Sequence, residues 1–195
     1  MLRVVLLSFI IGVFTGLSLR VELPSVLIDL SLAAMLFFIG YDLAASINFR
    51  KLKKLLFLSA KLALATVIGS VAAGYLVSLL LQNDTLALLA ASIGMGWYSL
   101  TGALLLRFLG SKAGLLGFVA NVLREILTFV FYPLFYRYAG TAAISMAGAT
   151  SMDTTLPLIR KVSGRDAALI SLIHGWIISS LVPILLMMLL SAVIS

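Results

Sequence analysis

Long apolar stretches separated by short polar turns run along the whole chain. We divide it into seven apolar segments, residues 4–19, 24–45, 55–81, 85–109, 114–136, 141–159 and 167–194. A helix needs about 20 mostly apolar residues to cross a bilayer, and each segment comes close to that length. The pattern therefore predicts an all-α polytopic membrane protein, with about seven transmembrane segments in a single domain over residues 1–195.

Two of these segments carry glycine, proline and polar residues in their middle. The fourth is interrupted at residues 94–102 and the sixth at residues 148–157. Glycine loosens a helix and Pro157 removes a backbone donor. Paired interruptions of this kind are the usual sequence sign of a transporter binding site, although small residues also let membrane helices pack closely. A basic loop and an apolar helix follow each interruption, which indicates a weak internal repeat, inverted if the halves face opposite ways.

The fifth segment carries three polar residues near its middle, Asn121, Arg124 and Glu125. Positions i, i+3 and i+4 lie on one face of a helix. Ionisable groups at membrane depth are expensive and usually face a cavity, a partner or a substrate path. We expect Glu125 to bind a substrate ammonium group or to carry a proton. The alternative is a buried ion pair with Arg124 or Lys61.

Other polar residues near the interruptions complete the predicted site. Asp153 can receive a substrate amine or a coupling ion, or it can cap a half-helix. Groups that can bind the same ligand belong to Asn121, Tyr98, Ser99, Thr150 and Ser151. His174, Arg124 and Asp42 are candidates for a proton relay or for pairing. A core histidine bonded to a carbonyl is the commoner alternative for His174, and pairing with the basic loop is the commoner one for Asp42.

Composition narrows the class of protein. The 195 residues are 63% hydrophobic with a mean hydropathy of +1.21, whereas soluble domains are roughly 45–50% apolar. The net charge of +7 would suggest nucleic acid in a soluble protein, but here the basic residues lie in loops, so we expect no nucleic-acid partner. With no cysteine and one histidine, we expect no thiolate or histidine-cluster metal site and no cofactor.

Loop charges predict the orientation in the cell (inner, cytoplasmic) membrane, because cytoplasmic loops are rich in lysine and arginine. If every segment crosses, the basic residues on the cytoplasmic side are Arg3, Arg50, Lys51, Lys53, Lys54, Arg107, Lys112, Arg160, Lys161 and Arg165. Arg20 and Arg137 then lie outside. This split predicts a cytoplasmic N-terminus and an external C-terminus. Re-entry of the fourth or sixth segment, without crossing, stays open.

Several motifs occur in order: residues 96–102 (GWYSLTG), 121–125 (NVLRE), 148–157 (GATSMDTTLP), 174–175 (HG) and 182–184 (VPI). From about Ser92 onward, the chain resembles the LysO (YbjE-type) lysine exporters. The resemblance implies a secondary exporter of L-lysine and its toxic analogue thialysine, with protons as the coupling ion. It also places the family's essential intramembrane glutamate on Glu125.

The resemblance also bears on assembly. Full-length members of that family carry further membrane helices, with an acidic residue, ahead of the matching region. Residues 37–43 and the first three segments resemble both that block and the region before the GWYSLTG motif. Two arrangements follow from it: a small, separately encoded membrane subunit supplies the further helices, or two copies of this chain form a homodimer in the lipid bilayer.

The predicted function is therefore a secondary-active lysine exporter. Glu125 holds the substrate ammonium, and the N-termini of the broken helices hold its carboxylate. One alternative is a noncatalytic subunit of a membrane complex, in which the three polar residues of the fifth segment only join helices. Another is an intramembrane hydrolase, which needs a nucleophile and a base placed together. The chain has no Gly-x-Ser-x-Gly sequence, and we expect that it is not an enzyme.

Overall fold

The structure of the chain is a computed structural model. It describes residues 11–12, 14–18, 24, 26–27, 30–31, 33–34, 37–38, 41, 49–81 and 84–194. The chain forms two compact units, Met1–Ser46 and Ile47–Ser195. In the first unit the described residues are helical apart from Pro24, whose carbonyl accepts a hydrogen bond from the Leu27 N–H at 2.9 Å. Asp42, one of the predicted site residues, lies outside the described residues.

The described part of the second unit contains only helices and the short turns that join them. Its α-helices are α1 (Phe49–Leu81), α2 (Thr85–Ile93), α3 (Tyr98–Leu109), α4 (Ser111–Ala139) and α5 (Leu156–Ile194), and two 3-10 helices, Gly140–Met146 and Gly148–Met152, join α4 to α5. Among the described residues, three stretches are long and apolar enough to cross a bilayer: Leu52–Leu81, Ser111–Met146 and Leu156–Ser191. The predicted all-α polytopic membrane fold is confirmed.

The fourth predicted segment folds back on itself and forms a re-entrant hairpin, residues 85–109, which we call hairpin 1. A straight helix would hold Asp84 and Lys112 about 40 Å apart, yet both line one cavity at the hairpin's open end. The reversal occurs between α2 and α3, where Met95 (φ 44°) and Gly96 (φ 98°) have left-handed backbone conformations. The interruption predicted at residues 94–102 is thus a tight turn, and the helix resumes at Tyr98.

Residues 140–163 form a second re-entrant hairpin, hairpin 2, which enters the membrane from the side opposite to that of hairpin 1. Arg124 lies about 22 Å back along α4 from its end at Ala139. Its guanidinium nevertheless donates to the carbonyls of Ser145 and Met146, so the chain after α4 returns to mid-depth. The first turns of α5 then lead outward again, where the hydroxyls of Ser163 and Tyr132 lie 2.7 Å apart.

The two hairpins continue into long helices through the same backbone conformation. Gly110 has φ 88° and ψ 178° between α3 and α4, and Gly164 has φ 83° and ψ −174° inside α5. Each long arm also contains one proline near its far end, Pro133 or Pro183. Hairpin, glycine and long helix therefore occur twice with opposite direction, which is the arrangement expected of an inverted repeat.

This topology changes the expected distribution of loop charge. The expectation that Arg107 and Lys112 lie on the same side as Lys53 and Lys54 is wrong, because hairpin 1 returns to the side from which it enters. Helices α1 and α5 run in the same direction, since the Ser59 hydroxyl donates to the Ile170 carbonyl at 3.0 Å and Thr66 contacts His174. The described basic residues on the hairpin 2 side include Lys53, Lys54, Arg160, Lys161 and Arg165. Arg137 lies with them, in the last turn of α4, although the sequence had placed it on the opposite side.

Candidate functional site

The tips of the two hairpins touch each other beside the middle of α4. The backbone N–H of Ala149 in hairpin 2 donates to the carbonyl of Met95 in hairpin 1 at 2.8 Å. Gly148 has φ 60°, and a Cβ atom there would collide with the Met95 carbonyl oxygen. A glycine is therefore required for this close approach of two backbones. The two interruptions that the sequence predicted meet at one place.

A cavity of about 220 Å³ lies beside this crossing. Both hairpin tips and one residue of α5 line it: Gly96, Trp97, Tyr98, Ser99, Ala149, Thr150, Met152, Asp153, Thr154 and Ser179. The structure thus brings together four predicted site residues, Tyr98, Ser99, Thr150 and Asp153. Ser179 was missed because it lies in an apolar helix without any local signal. Met152 lies inside the predicted interruption but was not singled out.

Opposite electrical polarities meet in this cavity. Helix α3 begins there at Tyr98, and its N-cap residue Trp97 makes no side-chain cap hydrogen bond. The first N–H groups of a helix have no partner within the helix, and they attract anions. Asp153 supplies a carboxylate in the same cavity. The arrangement can hold a ligand that carries both a carboxylate and an ammonium group.

The carboxylate of Asp153 does not cap the helix that follows it. Its Oδ1 accepts the N–H of the next residue, Thr154, at 2.5 Å and the Thr154 hydroxyl at 3.3 Å. Helix α5 instead begins with the Leu156 N–H donating to the backbone carbonyl of Asp153 at 3.1 Å. The capping alternative raised from the sequence is therefore not the observed geometry, and the carboxylate keeps acceptor capacity for a ligand.

Glu125 has no hydrogen bond or ion pair with another residue in the part of the chain that the structure describes. It is half-buried and interacts electrostatically with Asp153, although it does not line the cavity at the hairpin tips. The two cations proposed as its ion-pair partners have other contacts. Arg124 is bonded to hairpin 2 and Lys61 lies over the Phe57 ring, 4.4 Å from its centre.

Arg124 fastens hairpin 2 to two helices. Its Nε donates to the Met146 carbonyl at 2.9 Å and its Nη2 to the Ser145 carbonyl at 3.0 Å. Its Nη1 donates to the Ser70 hydroxyl of α1 at 2.9 Å. These carbonyls lie at the C-terminal end of a 3-10 helix, where a positive charge is favourable. Arg124 therefore satisfies backbone acceptors that would otherwise be exposed at membrane depth.

Asn121 binds backbone groups of hairpin 1 in the way that Arg124 binds those of hairpin 2. It is 2% exposed, and its Oδ1 accepts the N–H of Gly96 at 2.6 Å. Its Nδ2 donates to the carbonyls of Ala91 and Gly117, at 2.9 and 2.8 Å. The amide is thus bonded to the hairpin tip and to its own helix, and it does not line the cavity as the sequence had suggested.

Ser151 and His174 lie behind the cavity wall and do not line it. Ser151 donates to the carbonyl of Ser171 at 3.0 Å and contacts His174 Nδ1 at 2.9 Å. His174 is fully buried, and its partners are hydroxyls, whereas a carbonyl was the expected partner. Within the described residues, no group of three or more histidine, cysteine, aspartate or glutamate side chains could hold a metal ion.

Comparison with known proteins agrees with the resemblance seen in the motifs. A protein named "Lysine exporter LysO" from Escherichia coli (strain K12) is 36% identical over 124 residues, which are 64% of this chain and 42% of that protein. A protein named "Putative lysine exporter" from Haemophilus influenzae is 33% identical over 159 residues, 80% of each chain. The chain therefore spans less than half of the first relative.

No solved structure matches the chain. The family described as "Lysine exporter LysO" matches residues 6–190, nearly the whole sequence. The family inferred from the motifs is confirmed, and the chain belongs to the lysine exporter LysO family.

Proposed function

We propose that this protein is a secondary-active exporter of L-lysine and of close analogues such as thialysine, driven by proton entry. The observation that carries the proposal is the cavity where the two hairpin tips cross, with a helix N-terminus and a carboxylate on its walls. Both relatives carry lysine exporter in their names. Carrier sites of this kind lie near mid-membrane, between repeats, where broken helices supply ligand groups.

The substrate's ends match the polarity of the cavity. The carboxylate of lysine binds the free N–H groups at Tyr98 and Ser99, where α3 begins. The aliphatic part lies against Trp97 and Met152, and an ammonium group close to the indole face gains a further attraction. The side-chain ammonium binds at Asp153, with Glu125 as the second nearby acid.

Proton coupling follows from the two acids. Asp153 and Glu125 interact electrostatically, and two negative charges repel each other. In the proposed cycle, either one proton or one substrate ammonium reduces this repulsion. Lysine replaces that proton on the cytoplasmic side. A proton that enters from outside discharges the pair and releases the ammonium. One cation thus replaces another on the same pair of acids.

Loop charge supports one orientation in the cell membrane. Most of the described basic loop residues lie on the hairpin 2 side, which makes that side cytoplasmic. Hairpin 1 then opens to the exterior, and the C-terminal end of α5 lies outside. From the sequence alone we propose a cytoplasmic N-terminus, because Arg3 and the basic residues 50–54 lie on one side when both of the first two predicted segments cross.

The cavity also supports assembly with further protein. Ser99 and Thr154 are exposed beside it, and polar or irregular backbone at membrane depth must be covered by protein or lined by water. We propose a homodimer or a small separately encoded membrane subunit as the covering element. A cross-linked species in membranes, of either composition, identifies which one is present.

The proposal is tested by counterflow of radiolabelled lysine in proteoliposomes, with and without a pH gradient. We expect Asp153→Asn to abolish lysine counterflow and Glu125→Gln to abolish the response to the pH gradient. Asp84→Asn is the matched control, because it removes an acid but keeps an N-cap residue. Unchanged transport in both site variants would remove the roles assigned here, and a folded wild type that never moves lysine would favour a noncatalytic subunit.

A further inference from the structure

A buried histidine connects hairpin 2 to the two long helices beside it. His174 of α5 contacts the Ser151 hydroxyl through Nδ1 and the Thr66 hydroxyl of α1 through Nε2, each at 2.9 Å. The ring is fully buried. Ser151 is flanked in sequence by two cavity-lining residues, Thr150 and Met152. The ring therefore lies directly behind the wall of the proposed substrate cavity.

The proton count around this ring is compatible with a neutral imidazole. A neutral ring has one N–H and one bare nitrogen. The Thr66 hydroxyl also lies 2.8 Å from the Leu62 carbonyl, and the Ser151 hydroxyl 3.0 Å from the Ser171 carbonyl. One of these hydroxyls turns its proton to the bare nitrogen, and the other accepts from the N–H. Both contacts form without any charge on the ring.

The surroundings also disfavour a charged ring. The guanidinium of Arg124, which approaches from α4, interacts electrostatically with His174 and repels a second positive charge. Asp153 is the acid nearest in sequence to Ser151, but its carboxylate is bonded to Thr154. From α1 and α5, the groups that meet the ring or its partners are uncharged: Thr66, Ser171 and backbone carbonyls.

The backbone of hairpin 2 lies tightly against α5 at the same level. A Cβ atom at Gly175 would come within 2.5 Å of the Met152 N atom and 2.7 Å of the Ser151 hydroxyl oxygen. The hydroxyl of Ser171 donates to the Ser151 carbonyl at 2.6 Å. Residues 151–152 therefore have contacts on their hydroxyl, carbonyl and amide sides, and the imidazole is the link that extends this contact to α1.

We infer that His174 is a positioning residue that, as an uncharged bridge, holds the Ser151 stretch of hairpin 2 against α1 and α5 and thereby sets the shape of the cavity wall. This assignment rests on the proposed function of that cavity. It differs from the role of proton relay that the sequence left open. The coupling proton is carried by the acids, and His174 acts through Thr150 and Met152.

Three variants test the bridge. His174→Gln keeps a donor and an acceptor but cannot carry a proton near neutral pH, His174→Ala removes both bonds, and Thr66→Val removes one bond at nearly the same volume. Lysine counterflow gives KM and maximal rate, and accumulation under a pH gradient gives coupling. We expect His174→Ala, which removes two hydrogen bonds, to raise the KM about tenfold, and Thr66→Val, which removes one, to raise it a few-fold.

His174→Gln is expected to restore most of the affinity and to leave the pH dependence of transport unchanged. A glutamine variant that exchanges lysine normally but no longer responds to the pH gradient would overturn the bridge in favour of a relay. A wild-type KM in a folded His174→Ala protein would overturn it as well. If His174→Ala fails to fold, Thr66→Val decides by the same criterion. Absence of lysine counterflow in the wild type instead contradicts the proposed function.

Discussion

Hairpins 1 and 2 occupy equivalent places in the two halves of the protein, but they are held by different chemistry. Hairpin 1 has two α-helical arms, whose carbonyls are mostly satisfied within the helices, and a neutral amide of Asn121 bonds its tip. Hairpin 2 enters as 3-10 helix, and the guanidinium of Arg124 binds the carbonyls at Ser145 and Met146. The difference follows from how many backbone acceptors each tip leaves unpaired.

One helix carries both attachments. Asn121 and Arg124 are three residues apart on α4, on the same face, and each binds a different hairpin. Of the three polar residues at the middle of this helix, Asn121 and Arg124 are thus structural, whereas Glu125 makes no hydrogen bond or ion pair in the described region. Side chains of one helix bind both tips, so a substitution that releases one tip can be compared directly with a substitution that releases the other.

The largest expected effect comes from the point where the hairpins cross. Gly148→Ala forces a Cβ into the Met95 carbonyl, so we expect the tips to separate and lysine transport to be lost. Gly140→Ala is the matched control, because Gly140 also has a positive φ of 56° but nothing lies within 4 Å of its Cβ position. The control is expected to lose about 1–3 kcal/mol of stability, because φ 56° with ψ −136° favours glycine, and to keep transport. Equal loss in both variants would contradict a specific role for the crossing.

The next largest effect is expected at Arg124. Arg124→Ala leaves the carbonyls of Ser145 and Met146 without their side-chain donors, at a cost of about 2–5 kcal/mol. We expect hairpin 2 to loosen while hairpin 1 stays ordered. Because the chain has no cysteine, single reporters can be introduced at the fully buried Ile144 in hairpin 2 and Ala90 in hairpin 1. Faster thiol labelling at 144 with unchanged labelling at 90 is the predicted result.

Asn121→Ala is the converse experiment. It removes three hydrogen bonds that a neutral amide makes, so we expect a loss of about 1–3 kcal/mol, smaller than at Arg124. Labelling should now increase at the Ala90→Cys reporter and stay unchanged at Ile144→Cys. Simultaneous exposure of both reporters in either variant would show that the two hairpins open together and that the attachments are not separate.

The comparison of the hairpins also shows what the sequence could and could not predict. Segment lengths and apolar composition predicted the membrane fold, and glycines and Pro157 located both interruptions. Re-entry was not predictable from hydropathy, because an apolar half-helix that turns back has the same hydropathy as one that continues across the membrane. The signal that decides it is the left-handed backbone at Met95 and Gly96, which depends on Asn121 from a distant part of the chain.

The candidate site was predicted to a similar extent. Tyr98, Ser99, Thr150 and Asp153 were named from their position beside the interruptions, and all four line the cavity. Asn121 and Ser151 were named by the same reasoning but bond to the scaffold, since polarity at membrane depth serves both ligands and unsatisfied backbone. Only the tertiary contacts separate these two uses. Glu125 could be recognised as unusual from the sequence, but the absence of an ion pair with any described residue could not.

The smallest expected effect lies at the open end of hairpin 1. The Asp84 carboxylate accepts the Ala87 N–H at 3.2 Å and caps α2. Asp84→Ala should lower stability by about 1 kcal/mol without altering the KM for lysine, because Asp84 is remote from the hairpin tips. Thermal unfolding in detergent, together with counterflow kinetics, checks both parts. A raised KM would mean that the open end of hairpin 1 is coupled to its tip, and that α2 moves as a rigid rod which transmits strain at Asp84 to Gly96.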